Sequence, residues 1–158
     1  MDNYPLDIDS GYVISAPIYL LITNQTCSFC GKSNEVILLA TLIEPHEEDE
    51  TQTLNSDEVF ILNYVEALPD ELLAPILKIN PNYKIEHSFT ANSDYYMTTC
   101  ACGGHYGDFY VTAQTKEIAF MNPTALKIVK LVINGSWEIP CNYSYGALNA
   151  ELLNAYGQ

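Results

Sequence analysis

Two short cysteine motifs constrain the fold of this chain more than any other feature of its sequence. Cys27 and Cys30 lie in "TCSFCGKS", Cys100 and Cys102 lie in "TTCACGGH", and each pair is followed directly by glycine. In a zinc knuckle the backbone turns tightly around the ion, and a glycine after the second ligand allows the left-handed conformation that closes the turn. The sequence therefore predicts one Zn2+ site of four thiolates, with Cys27, Cys30, Cys100 and Cys102 as ligands.

The same cysteines have other interpretations. They could form disulfides, although these are disfavoured in a reducing compartment, or they could be unrelated core residues. A thioredoxin-like redox pair would be followed directly by a helix, whereas strand patterns follow both pairs here. The Cys-x-Cys spacing of the second pair is less usual than Cys-x-x-Cys. It bears on the coordination geometry expected at this pair more than on the presence of the metal. Cys141 has no partner cysteine and is expected in the core or at the surface.

The predicted zinc site is structural. Catalytic zinc keeps one position open for water and usually has a histidine among three protein ligands, whereas four thiolates saturate the ion. His105 could replace one cysteine, and Asp108 could act as a base; the simpler interpretations are a solvent-facing histidine and an aspartate that caps a turn. The sequence contains no phosphate-binding glycine loop, nucleophile elbow or zincin motif, so no catalytic residue is predicted.

Composition and charge restrict the class of partner. The chain has 158 residues, of which 48% are hydrophobic, and this is enough to bury the core of one ordinary domain. We therefore expect a single zinc-binding domain over residues 1–158. Lys and Arg number 6 against 20 Asp and Glu, and the resulting formal charge of −14 repels phosphate backbones and anionic lipid. Nucleic acid and membranes are not expected as partners, whereas a basic protein is.

The N-terminal segment and the apolar runs predict a cytoplasmic protein. "MDNYPLDIDSGY" is acidic where a secretory signal needs a basic start and a long apolar core. The longest apolar runs, "APIYLLI" and "EVILLATLI", are far shorter than the roughly 20 residues that cross a bilayer.

Hydrophobic patterning predicts an α+β fold with an antiparallel sheet, two zinc-knuckle hairpins and two to three short helices. Strand patterns occupy residues 11–23, 35–43, 59–65, 83–90, 94–100 and 108–114. Helix patterns occupy residues 68–79, 121–136 and 146–156. Residues 44–58 carry seven carboxylates and predict a solvated loop.

The motifs taken together resemble those of a group of small, largely uncharacterised bacterial proteins. The resemblance rests on "CSFCGKSNEVILLA", a Leu-Pro helix, "YYMTTCACGGHYGDFYV" and "FMNPT", and it spans residues from about 16 to 125. It carries over Cys27, Cys30 and Gly31, then Cys102, Gly103, Gly107, Asp108 and Phe109. The third ligand of the group falls at Thr99, and this chain has Cys100 instead. The resemblance implies zinc binding and a bacterial cytoplasmic setting, and it implies no enzymatic activity.

Three functions are compatible with these features. The first is a non-enzymatic protein-binding module, most specifically an immunity or inhibitor protein that neutralises a basic toxin by direct binding. The carboxylates of Glu47, Glu48, Asp49 and Glu50 are its predicted partner-binding residues, because opposite charges steer association from a distance. The second is a zinc-stabilised regulatory or housekeeping domain whose partner is unknown. The third is a zinc-dependent hydrolase that uses Asp108 or His105.

Overall fold

The structure, a computed structural model, describes residues 11–47, 58–89 and 91–149. Along these ranges the elements are β1 (Tyr12–Ser15), β2 (Ile18–Thr26), β3 (Ser33–Thr41), β4 (Glu58–Asn63), α1 (Asp70–Ile79), β5 (Tyr83–Ser88), β6 (Ser93–Thr98), α2 (Asp108–Met121), a 3-10 turn (Pro123–Ala125), β7 (Lys127–Lys130), β8 (Ser136–Ile139) and β9 (Asn142–Asn149). The predicted α+β class is confirmed.

A five-stranded sheet forms the centre of the described structure. Its strand order is β7-β2-β3-β4-β9, and every neighbouring pair is antiparallel. β2 and β3 pair along their whole length, from Ile18 opposite Thr41 to Thr26 opposite Ser33. Two smaller antiparallel pairs, β1 with β8 and β5 with β6, complete the described strands. The long β2–β3 hairpin matters for function because its turn carries the first cysteine pair.

Both faces of the central sheet are buried. On one face Leu20 of β2 belongs to a hydrophobic cluster with Leu72 of α1. On the other face the next residue, Leu21, belongs to a second cluster with Val111 of α2. A strand with apolar neighbours on both faces appears in sequence as a continuous apolar run, and this explains why β2 and β3 lack polar alternation.

Helix α1 agrees with its prediction. It begins directly after Pro69, whose fixed backbone angle suits a helix start, and it ends where the Asn80 N–H donates to the Ile76 carbonyl at 2.9 Å. Leu72 and Ile76, four residues apart, are its buried side chains. The helix thereby covers one face of the sheet.

The predicted strand over residues 108–114 is wrong, because this segment begins helix α2. Its buried residues follow a helical spacing, and they are Asp108, Val111, Thr112, Thr115 and Ala119. Val111 and Ala119 pack in one apolar cluster with Leu21 of β2, and Thr112 Oγ1 accepts a hydrogen bond from Asn63 of β4 at 2.8 Å. Tertiary packing therefore outweighs the strand preference of the local "DFYV" composition.

The predicted helix over residues 121–136 is also wrong. Residues Pro123–Ala125 form only a 3-10 turn after α2, and Lys127–Lys130 then join the edge of the sheet as β7. Ile128 lies opposite Leu21 of β2, so its β-branched side chain packs on the pleated surface. The predicted helix over residues 146–156 fails at its start, because residues 146–149 belong to β9, and its remainder lies outside the described residues.

Candidate metal centre

The first cysteine pair lies in the tight turn that joins β2 to β3. The Cys27 N–H donates to the Lys32 carbonyl at 2.8 Å, and the Gly31 N–H donates to the Cys27 carbonyl at 2.9 Å. Gly31 has a φ of +78°, in the left-handed region that glycine enters without steric cost. The glycine after the second cysteine therefore closes the turn as the sequence predicted.

The second pair lies in a turn between β6 and α2. Thr99 and His105 form an antiparallel bridge at its base, and the Cys100 N–H donates to the Gly104 carbonyl at 2.7 Å. Gly103 has a φ of +98° and donates its N–H to the Cys100 carbonyl at 2.9 Å. Because helix α2 follows this turn, the predicted second hairpin with a strand on each side is not confirmed.

The two turns bring four sulfur atoms together. The Sγ atoms of Cys27, Cys30, Cys100 and Cys102 all lie within 4.8 Å of one another. Cys27 Sγ is 3.6 Å from Cys102 Sγ, and Cys30 Sγ is 3.5 Å from Cys100 Sγ, so each short contact joins one turn to the other. All four cysteines are free thiols, and a disulfide would need about 2.05 Å. The cluster can hold a metal ion. Cys100 supplies the third sulfur, one residue after Thr99, where the resembling proteins have their third ligand.

Gly104 allows the close approach of the two turns, and sequence reasoning did not single it out. A Cβ atom at this position would lie 2.8 Å from Phe29 Cδ2 and 3.1 Å from Cys27 Sγ. Contacts below 3.0 Å force neighbouring atoms to move. The exposed Phe29 ring can rotate away, whereas the Cys27 sulfur would have to shift by a few tenths of an ångström, so a side chain at position 104 would disturb the sulfur cluster directly.

Two further residues that sequence reasoning missed connect the turns. Asn34 Nδ2 donates to the Tyr106 hydroxyl at 2.8 Å, and that hydroxyl donates to the Gln25 carbonyl at 3.1 Å. The Asn34 side chain also helps to lower the pKa of the Cys100 thiol. The position of Tyr106 within the glycine-rich motif is a sequence signal for a role at the site, whereas the sequence has no such signal at Asn34.

Backbone amides set the electrostatics of the sulfur cluster. A hydrogen bond from the Cys102 backbone, together with the Asn34 side chain, lowers the pKa of Cys100 to about 6. Backbone hydrogen bonds from Cys30 and Phe29 lower the pKa of Cys27. The Gly104 amide also lowers the pKa of Cys102. The hydrogen bond of Cys102 with the Cys27 side chain and the burial of Cys102 outweigh this effect, and the pKa of Cys102 is raised to about 11. Amides directed at sulfur favour thiolate, the form that binds metal.

The structure places the other predicted site residues outside the sulfur cluster. His105 lies in the second turn, and its Nδ1 atom is buried without a hydrogen-bond partner among the described residues. Asp108 is buried at the start of α2, where its Oδ2 accepts the Tyr64 N–H at 2.6 Å. Cys141 lies in the core, and burial raises its pKa to about 12.

Only part of the predicted acidic loop is described. Glu47 is exposed, whereas Glu48, Asp49 and Glu50 lie outside the described residues. The start of the loop is anchored, because His46 bridges to Val13 of β1. The prediction of a solvated loop therefore does not hold for its first residues.

Comparison with protein-family models, curated protein sequences and solved structures finds no match for this chain. The resemblance to small bacterial proteins stays a prediction. Among the described residues, no helix is long and apolar enough to cross a membrane.

Proposed function

We propose that this chain is a non-enzymatic protein-binding domain, stabilised by one structural Zn2+ ion, that binds a basic protein partner. The proposal rests on the cluster of four sulfurs, which come from two turns far apart in the sequence, combined with a formal charge of −14. The partner class that fits best is a basic toxin, which the domain would neutralise by occluding it.

The sulfur positions support zinc as the metal. A tetrahedral ion with Zn–S bonds of about 2.3 Å requires sulfurs about 3.8 Å apart. The two short contacts of 3.5 and 3.6 Å are close to that edge, and the remaining distances stay within 4.8 Å. Small shifts of the cysteine side chains would therefore complete the tetrahedron, and thiolates are ligands that zinc prefers.

The donor set supports a structural role for the ion. Four thiolates fill the tetrahedral positions and leave no site for a catalytic water. Neither His105 nor Asp108 belongs to the sulfur cluster, and the Asp108 carboxylate is already bonded to the Tyr64 amide. The ion would join the β2–β3 turn to the turn before α2, so its binding energy would contribute to folding.

Charge supports a basic partner. Acidic residues exceed basic ones by 14 over the chain, and Glu47, Glu48, Asp49 and Glu50 form a dense run of carboxylates. Such a charge excess speeds the approach of a cationic surface and slows that of nucleic acid or of an anionic membrane. A neutraliser that must reach a basic toxin quickly benefits from this steering.

The proposal is tested by affinity capture from the source organism with the zinc-loaded chain as bait. We expect a basic protein that rebinds the purified chain directly and, if it is a toxin, loses its activity on binding. Recovery of acidic proteins only, or turnover of a small molecule by the purified chain, would contradict the proposal.

A further inference from the structure

Helix α2 exposes large apolar side chains on its outer side, with Gln114, Lys116 and Glu117 between them. Its inner side packs on the central sheet through Val111 and Ala119. Its outer side exposes large hydrophobic side chains at both ends of the helix, and Glu117 is the one charged residue among its exposed positions. A surface helix normally places polar residues opposite its buried face, so the outer side of α2 requires an explanation.

The exposed side chains form a surface that we call the aromatic face, and they extend onto the first cysteine turn. Its members and their exposed fractions are Phe29 at 78%, Phe109 at 71%, Tyr110 at 72%, Phe120 at 79% and Met121 at 71%. At about 200 Å2 per aromatic side chain, the four rings expose roughly 600 Å2. That total approaches one partner's share of a standard interface.

A groove of about 570 Å3 lies between the first cysteine turn and the N-terminal part of α2. Ser28 of the first turn and Tyr110 of α2 line it, and so does Cys27 of the sulfur cluster. Its other walls include the amides of Asn24 and Gln114 and the imidazole of His105, and no Lys, Arg, Asp or Glu lines it. The groove therefore offers aromatic rings and neutral hydrogen-bonding groups next to the candidate metal centre.

Charge decides which occupant fits the aromatic face. Two copies of this chain would each bring a formal charge of −14, and their repulsion opposes self-association; an anionic membrane is repelled in the same way. Four thiolates around one divalent ion would add a net charge of about −2 beside the groove. Arginine and lysine side chains are attracted to aromatic ring faces as well as to negative charge.

We propose that the aromatic face is the docking surface for a basic protein that presents arginine or lysine beside apolar side chains. This inference rests on the proposed function and adds the location of the contact. The partner's apolar residues cover Phe109 and Phe120, and a cationic side chain enters the groove beside Tyr110. The acidic run at residues 47–50 accelerates the encounter, whereas the aromatic face holds the complex together.

The test uses a synthetic amphipathic helix of about 18 residues, built from Arg, Leu and Trp, and the zinc-loaded chain labelled with 15N. The control peptide has Glu in place of every Arg. We expect the cationic peptide to shift the amide resonances of residues 28–29 and 105–121. Replacement of both phenylalanines, Phe109→Ser and Phe120→Ser, should weaken its binding at least tenfold. Phe89→Ser is the matched control, because Phe89 is 86% exposed but lies after β5, and it should change affinity less than twofold.

Several results would overturn the inference. Resonance shifts confined to other surfaces, or equal losses from the Phe89 variant and the double variant, would move the contact away from α2 while leaving a basic partner in place. A dimer in sedimentation velocity that the double variant dissolves would show a second copy of this chain as the occupant, and binding to zwitterionic vesicles would show a lipid surface. If the unaltered chain did not bind the cationic peptide, both the docking surface and the proposed preference for a basic partner would be contradicted.

Discussion

The buried carboxyl group of Asp108 should make the stability of this protein depend on pH. Asp108 is 6% exposed, its Oδ2 accepts the Tyr64 N–H at 2.6 Å, and its own N–H donates to the Tyr95 hydroxyl at 3.0 Å. Burial raises the pKa of Asp108 from its ordinary 3.8 to about 7, although the Tyr64 hydrogen bond lowers it. Asp108→Asn removes the titrating group and keeps an oxygen that can accept the Tyr64 N–H.

The sign and size of the effect follow from the two pKa values. Because the folded protein binds this proton more tightly than the unfolded chain does, the contribution of Asp108 to stability is greatest in acid and is lost as pH rises through about 7. Between pH 6 and pH 8 the wild-type free energy of unfolding should fall by roughly 1 kcal/mol relative to Asp108→Asn. For a chain of this length that corresponds to about 2 to 4 °C in melting temperature.

The assay is urea unfolding of both proteins at pH 6, 7 and 8, with zinc in the same small excess. Every other ionisable group is present in both proteins, so its contribution cancels in the difference between the two curves. We expect Asp108→Asn to gain stability relative to wild type at each higher pH. Parallel curves across this range would refute the reasoning, since they would mean that Asp108 is ionised throughout or is not buried in solution.

Three further predictions concern the sulfur cluster and the acidic run. Cys30→Ser should lower the free energy of unfolding by at least about 3 kcal/mol and abolish stoichiometric zinc binding, whereas Cys141→Ala should retain the metal; calorimetry and metal analysis check both, and unchanged stability of Cys30→Ser would contradict a structural site. Gly104→Ala should weaken zinc binding severalfold in competition with a chromophoric chelator, because its Cβ lies 3.1 Å from Cys27 Sγ and 3.4 Å from Cys102 Sγ; equal affinity would show that the turns adjust freely. Neutralising residues 47–50 together should slow association of the cationic peptide and flatten its salt dependence in stopped-flow measurements, with little change in dissociation; an effect on dissociation alone would place these carboxylates within the contact.

The sequence was sufficient to predict strands β2, β3 and β4 of the central sheet and the sulfur cluster, but not β7 and β9. The buried runs in β2 and β3 have the length and composition of strands covered on both faces, and the glycines after the cysteine pairs mark tight turns. Both signals are local, because each depends on residues within a few positions of one another. The joining of the two cysteine pairs is non-local, and the chemistry of the thiolates was enough to predict it.

The region after the second pair could not be predicted in this way. The segment that begins with Asp108 has the aromatic and β-branched composition of a strand, yet its helix is decided by the fit of Thr112, Thr115 and Ala119 to the sheet. The segment around Ile128 has a helical start signal at Pro123, yet the open edge of β2 draws it into the sheet. In both cases a surface formed by distant residues overrides the local preference.

The supporting residues of the candidate site were missed for the same reason. Asn34 follows the first turn with no distinguishing pattern, and its role appears only where β3 brings it beside Tyr106 and Cys100. Gly104 has no sequence signal that separates it from Gly103, and its importance comes from its closeness to the sulfurs of Cys27 and Cys102.

The central claim is that four cysteines from two turns hold one structural zinc ion. The most direct measurement is metal analysis of protein purified without chelator or oxidant, combined with X-ray absorption at the zinc edge. We predict one Zn2+ per chain, with four sulfur ligands at about 2.3 Å and no nitrogen or oxygen ligand. A zinc stoichiometry near zero, or a coordination shell that includes water or histidine, would contradict the account.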